Sequence, residues 1–189
     1  MRRRLRASSV LAGGILLLAS SAAVALEIGA VAPDFAMPTL EGRSFSLVQA
    51  EKTHVAVVIL FISTICPYSN YYNDLIRDLA AEFDKKGIVF VGVNSGSLET
   101  AEEVRAHARD HGHRFDIIKD PEGRVADLLE ARRTPEVFLI DSSGALRYHG
   151  RVASKISAPD LRNALEALLA GRPIHPAETK AFGCAIARR

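Results

Sequence analysis

Two cysteines carry most of the chemistry this chain could perform, and they lie far apart in the sequence. Cys66 sits in STICPYSN, residues 63–70, directly before a proline and at the start of a segment with helical periodicity. A thiolate placed at a helix N-terminus faces unpaired backbone N–H groups and the positive end of the helix dipole, which stabilise the anion. Thiolate is the nucleophilic form, so this is a position for a reactive cysteine. The competing reading is a small buried hydrophobe, a common fate of free cysteine. Ser69 stands three residues on, where a dithiol motif would carry its second cysteine. A serine hydroxyl does not attack disulfide sulfur at neutral pH, so Cys66 alone could form a mixed disulfide without resolving it. The second thiol must then come from Cys184, in ETKAFGCAI near the C-terminus, from another protein, or from a small thiol.

The remaining candidate groups carry weaker patterns. His107 and His111 have i, i+4 spacing and His113 follows closely. Without a third ligand of known geometry they are expected at a charged helix end facing water, as is His149 on a solvated strand edge. No C-x-x-C pair or cysteine–histidine cluster at finger spacing is present, so neither a structural zinc site nor any other metal or organic cofactor is expected. Arg132 and Arg133 flank Thr134-Pro135 and could add positive potential or simply face solvent; Tyr68 and Tyr71 could line a groove or pack.

Several elements must position these side chains. The run VAVVILFIS, residues 55–63, is continuously apolar and β-branched, the pattern of a strand buried on both faces. PYSNYYNDLIRDLAAEFDKKG follows as one helix, with Pro67 in its first turn, Leu75, Leu79 and Phe83 on one face, and Gly87 closing it. IVFVGVNSG is a second buried strand, TAEEVRAHARDHG a charged surface helix, and RVADLLEA a short helix. TPEVFLIDSSGALRYHGRV reads as two strands joined by a turn at 141–144, and APDLRNALEALLAG as a final helix. Alternating strands and helices predict an α/β protein with a parallel core, extended by antiparallel strands from the hairpin.

The first 25 residues have a different composition. Four arginines in the first six residues precede the apolar run VLAGGILLLASSAAV, and Ala23-Val24-Ala25 supplies an A-x-A cleavage pattern. This layout predicts a secretory signal peptide cleaved after Ala25, by the general or the twin-arginine route, with an uncleaved anchor as the alternative. The full chain carries a formal charge of +2; without that segment 20 basic residues face 22 acidic ones, a charge of −2. The apparent basicity belongs to the leader, so neither nucleic acid nor an anionic membrane is an expected partner. The expected location is outside the cytosol, in a periplasm or cell envelope, where disulfides form and persist. The organisation expected is residues 1–25 as leader, 26–172 as one domain, and 173–189 as a tail carrying Cys184.

Three features together resemble the thioredoxin-like superfamily in its redoxin, or AhpC/TSA (peroxiredoxin-like), branch. These are FISTICP with Cys66 after the first central strand, RTPEVFLID with Thr134-Pro135 before the hairpin, and APDFAMPTLEGRSFSL as an N-terminal hairpin extension. The ending FGCAI, with ETK before it, also looks like a terminal signature of a peroxiredoxin-like group. The resemblance implies a three-layer α/β/α fold with a mixed central sheet. It implies a cis Pro135 against the cysteine, and a Thr134 whose backbone meets a bound thiol or disulfide partner, protein or small molecule. It implies oxidoreductase chemistry with Cys66 as attacking thiolate and Cys184 as candidate resolving thiol; a permanent Cys66–Cys184 bridge or two unpaired thiols remain open. Peroxide is the alternative substrate, although in the P-x-x-x-T-x-x-C loop of peroxiredoxins the threonine position here is Ser63 and the proline position Ile59. Two further readings are a binding module without turnover and a copper carrier, whose C-x-x-x-C-P pair would need cysteine at Ile62.

Overall fold

The computed structural model describes residues 26–155 and 159–187, so the leader expected at 1–25 lies outside the described residues. The order is β1 (Ala36–Pro38), β2 (Ser44–Ser46), α1 (Leu47–Thr53), β3 (Ala56–Phe61), α2 (Pro67–Tyr71), α3 (Asn73–Asp84) and β4 (Ile88–Asn94). It continues with α4 (Ala101–Asp110), β5 (Asp116–Lys119), α5 (Arg124–Leu128), β6 (Arg133–Thr134), β7 (Glu136–Asp141), β8 (Leu146–Gly150), α6 (Asp160–Leu169) and β9 (Cys184–Ala185). Strands run β5-β4-β3-β7-β8 across a central sheet, with β3, β4 and β5 parallel and β7 and β8 antiparallel. β1 and β2 form the separate antiparallel hairpin expected before the domain core.

The unbroken apolar run of β3 puts all six of its side chains in the interior. Because successive strand residues point to opposite faces, they divide between two cores. Val57, Ile59 and Phe61 pack with Leu47 of α1, Phe35 and Phe45 of the hairpin region, and Val125 of α5. Val58 and Leu60 pack with Ile76, Leu79 and Phe83 of α3 and with Leu161 and Leu165 of α6. Helical layers on both faces of a mixed sheet give the α/β/α architecture.

The helix expected as one piece from Pro67 is two. Tyr72 leaves the helical region at φ −100°, ψ 4°, and its hydroxyl donates to the Ala153 carbonyl at 3.0 Å. No helix among the described residues is long and apolar enough to cross a membrane.

The tail after α6 returns to the sheet. Thr179 accepts from the Arg151 amide and shares a hydrogen bond with the buried Tyr148 hydroxyl. Beyond it, β9 lies antiparallel on β6, and Ile186 is buried in the same core as Val57 and Phe61.

Candidate active site

Parallel strands leave their C-terminal ends, and the loops that follow them, on one side of the sheet, where open α/β folds place their sites. The loop after β3 carries Ser63 and Thr64 to Cys66, which is the N-cap of α2 with Pro67 behind it. Cys66 is only 1% exposed. Across from it stand Thr134 and Pro135, joined by a cis peptide bond, at the corner between β6 and β7. As a thiol, Cys66 donates from Sγ to the Thr134 carbonyl oxygen at 3.0 Å.

Cys184 is the register partner of Thr134 in the β6–β9 pair. The tail is fixed by further contacts on either side. Arg133 Nη1 donates to the Gly183 carbonyl at 2.9 Å, the Ile186 amide to Arg132 O at 3.0 Å, and the Ser97 amide to Ala187 O at 3.1 Å. Gly183 has φ +155°, and a Cβ there would collide with the Thr134 carbonyl oxygen, so the approach needs glycine. The four residues expected to form the site, Cys66, Thr134, Pro135 and Cys184, are therefore brought together.

Both cysteines are free thiols, and they sit within hydrogen-bond reach of each other. Burial pushes the Cys66 thiol up. Hydrogen bonds to its sulfur from the Cys184 and Thr134 side chains and from the Ser69 and Cys184 amides outweigh that, and the net shift is below the ordinary thiol value. Cys184 moves the other way: its hydrogen bond to Cys66, then burial, push it up to about 11. The two shifts are opposed, favouring the anion at Cys66 and the proton at Cys184.

A pocket of about 140 Å³ opens beside the sulfurs, bounded by Ile65, Leu98, Glu99 and the tail residues 184–187. Glu99, 5% exposed, is the group that sequence reasoning missed. Its Oε1 accepts from the Thr64 amide at 2.5 Å and from Asn94 Nδ2 at 2.9 Å, and its Oε2 from the Ser63 hydroxyl at 3.0 Å. Lys119 Nζ donates to Asn94 Oδ1 at 2.7 Å, and burial holds its pKa below the usual lysine range. In sequence Glu99 resembles another acid before the α4 capping box of Thr100 and Glu103; adjacency of β3 and β4 in a parallel pair was the available signal.

Other expectations are corrected. Ser69, at the position where a dithiol motif would carry its second cysteine, accepts the Ser63 amide with its hydroxyl at 3.2 Å. His149 is no solvated edge residue: its ring stacks on Phe138 at 4.4 Å, and Nε2 lies 2.8 Å from Glu136 Oε1. Glu136 Oε2 in turn accepts the Arg132 and Arg133 amides, both at 2.8 Å, which holds the corner carrying Thr134. His107 and His113 also turn inward. His107 Nε2 donates to Asn70 Oδ1 at 2.8 Å, while His113 stacks on Phe115 and burial pushes it down to about 4. Tyr68 and Tyr71 are exposed, and Arg132 points to solvent beside Glu130.

Comparison with known proteins agrees with this geometry. The AhpC/TSA family matches residues 28–149. The thiol-disulfide oxidoreductase ResA of Geobacillus thermodenitrificans is 26% identical over 144 residues, 76% of this chain and 79% of that protein. The thioredoxin-like protein YneN of Bacillus subtilis is 30% identical over 125 residues, 66% of this chain and 71% of that one. Among solved structures, a hypothetical protein of Sinorhizobium meliloti, SMc02350, superposes with a TM-score of 0.80 at 28% identity, covering 88% of this chain and 97% of that one. With the fold, the paired thiols and these relatives in agreement, the chain belongs to the AhpC/TSA family and is an oxidoreductase of thioredoxin-like fold.

Proposed function

We propose that this protein exchanges disulfides with a thiol- or disulfide-containing partner, using Cys66 as attacking thiolate and Cys184 as resolving thiol. The observation that carries this reading is geometric: Cys66 caps α2 with its sulfur 3.0 Å from the Thr134 carbonyl oxygen, and Cys184, the register partner of Thr134, lines the same pocket. Cys66 attacks one sulfur of a partner disulfide, forming a mixed disulfide and releasing the partner's other sulfur as thiolate. Once Cys66 is no longer an anion, Cys184 loses the acceptor that held its proton. It then deprotonates and attacks the Cys66 sulfur, the mixed bond breaks, and the partner leaves as a dithiol. The product is a Cys66–Cys184 disulfide, and the reverse sequence oxidises a partner dithiol.

In the same reading residues 1–25 are an export leader, and residues 26–189 act outside the cytosol in a periplasm or cell envelope, where such exchange has partners. The tail is part of the working domain, since it supplies the second thiol.

The experiment is a pair of variants treated with a disulfide-bonded peptide and followed by intact mass. Unaltered protein is expected to lose two hydrogens with no adduct, Cys184→Ser to accumulate a Cys66 adduct, and Cys66→Ser to do neither. A midpoint potential above about −250 mV accompanies an exchangeable pair, whereas a bridge that survives below about −300 mV marks a structural staple and overturns the reading. Rapid peroxide consumption with no peptide turnover would assign the same thiols to peroxide instead.

A further inference from the structure

We propose that Glu99 is the proton acceptor for Cys184 in the resolving step, a role that rests on the exchange reading above. Cys184 must lose a proton before it can attack, and its partly exposed side chain lines the small pocket. Among the described residues lining that pocket, Glu99 is the one side chain besides the two cysteines that can take up a proton. Its carboxylate is already oriented: Asn94 and the Thr64 amide fix Oε1, leaving Oε2 with the Ser63 hydroxyl alone. Ser63 also lines the pocket, and its hydroxyl can take a proton on one side while passing one to Glu99 on the other.

The mixed disulfide of Cys66, the Cys184 thiol and the Glu99 carboxylate become the Cys66–Cys184 disulfide, a leaving thiolate and a protonated Glu99. That proton then neutralises the leaving thiolate or passes to solvent, which restores the carboxylate. Besides the cysteines, the charged or titratable groups around this site include Lys119 of β5, on Asn94 Oδ1 and the Gly96 carbonyl, His107 of α4, and Arg133 of β6, on the Gly183 carbonyl beside Cys184.

The test uses 2,2′-dipyridyl disulfide, whose chromophore is released once when Cys66 attacks and again when Cys184 resolves. Glu99→Gln retains an oxygen for Thr64 and Asn94 but not the acceptor. The first phase should stay within about twofold, and the second should fall at least tenfold at pH 7. That deficit should close as pH rises toward the range where Cys184 ionises unaided. Glu99→Asp should restore part of the second phase. In unaltered protein the second phase alone should slow about twofold in deuterated water, a readout independent of any variant's folding. An unchanged second phase, equal slowing of both phases, a deficit constant with pH, or no isotope effect overturns the role of Glu99. Absence of any second phase in unaltered protein would instead overturn Cys184 as resolving thiol.

Discussion

Cys184 is the first group that draws the Cys66 pKa down against burial, so removing it has a defined sign. Cys184→Ala should move the midpoint of Cys66 alkylation by iodoacetamide toward higher pH, measured as rate against pH. A midpoint that stays put would mean the helix start alone sets the acidity. Gly183 lets the tail backbone approach the Thr134 carbonyl. Forcing a Cβ into its conformation costs about 1–3 kcal/mol, before any clash with Thr134. Gly183→Ala should therefore raise the population in which the tail is lifted about 5- to 150-fold, read as faster alkylation of the buried Cys66. Residues with a local signature were legible in sequence: a cysteine before proline at a helix start, Thr-Pro before a hairpin, a lone tail cysteine. Glu99 and Glu136 were not, because a buried carboxylate is defined by donors that arrive from distant strands and loops.

At the next scale, the corner between β6 and β7 depends on Glu136. Its carboxylate is buried, which raises its pKa, but His149 and the two arginine amides outweigh burial and hold it below the usual glutamate range. A depressed carboxylate binds fewer protons folded than unfolded. Its stabilisation is complete above the unfolded value of about 4.3 and is lost as pH falls through the folded value. Glu136→Gln should cost about 1–3 kcal/mol at neutral pH and flatten the acid limb of the stability curve, as measured by denaturant titration between about pH 2 and 5. A variant with an unaltered acid limb would place the acid sensitivity elsewhere. Long strands and helices were readable here because periodicity extends over many residues. β9 has two residues and no period, and the break at Tyr72 depends on Ala153, far along the chain, so neither could be read locally.

For the molecule as a whole, a Cys66–Cys184 bond would close a loop of more than a hundred residues, worth about 4–5 kcal/mol by chain entropy. Oxidised protein should melt about 10 °C or more above reduced protein in scanning calorimetry. Equal melting temperatures would show that the tail adds nothing to the fold beyond what its non-covalent contacts already supply. The layered architecture followed from the strand and helix order, whereas the return of the tail onto β6 did not, since a two-residue pairing leaves no trace in composition. The backbone edge at Thr134 already has a tenant, tethered to the same chain at an effective concentration on the order of millimolar. Any extended partner segment seeking that edge competes with the tail, so its apparent affinity falls by the fraction of time the edge stands vacant. Weakly binding chains are excluded by this competition without any clash, and the threshold for entry is set by residues 183–187 rather than by the pocket.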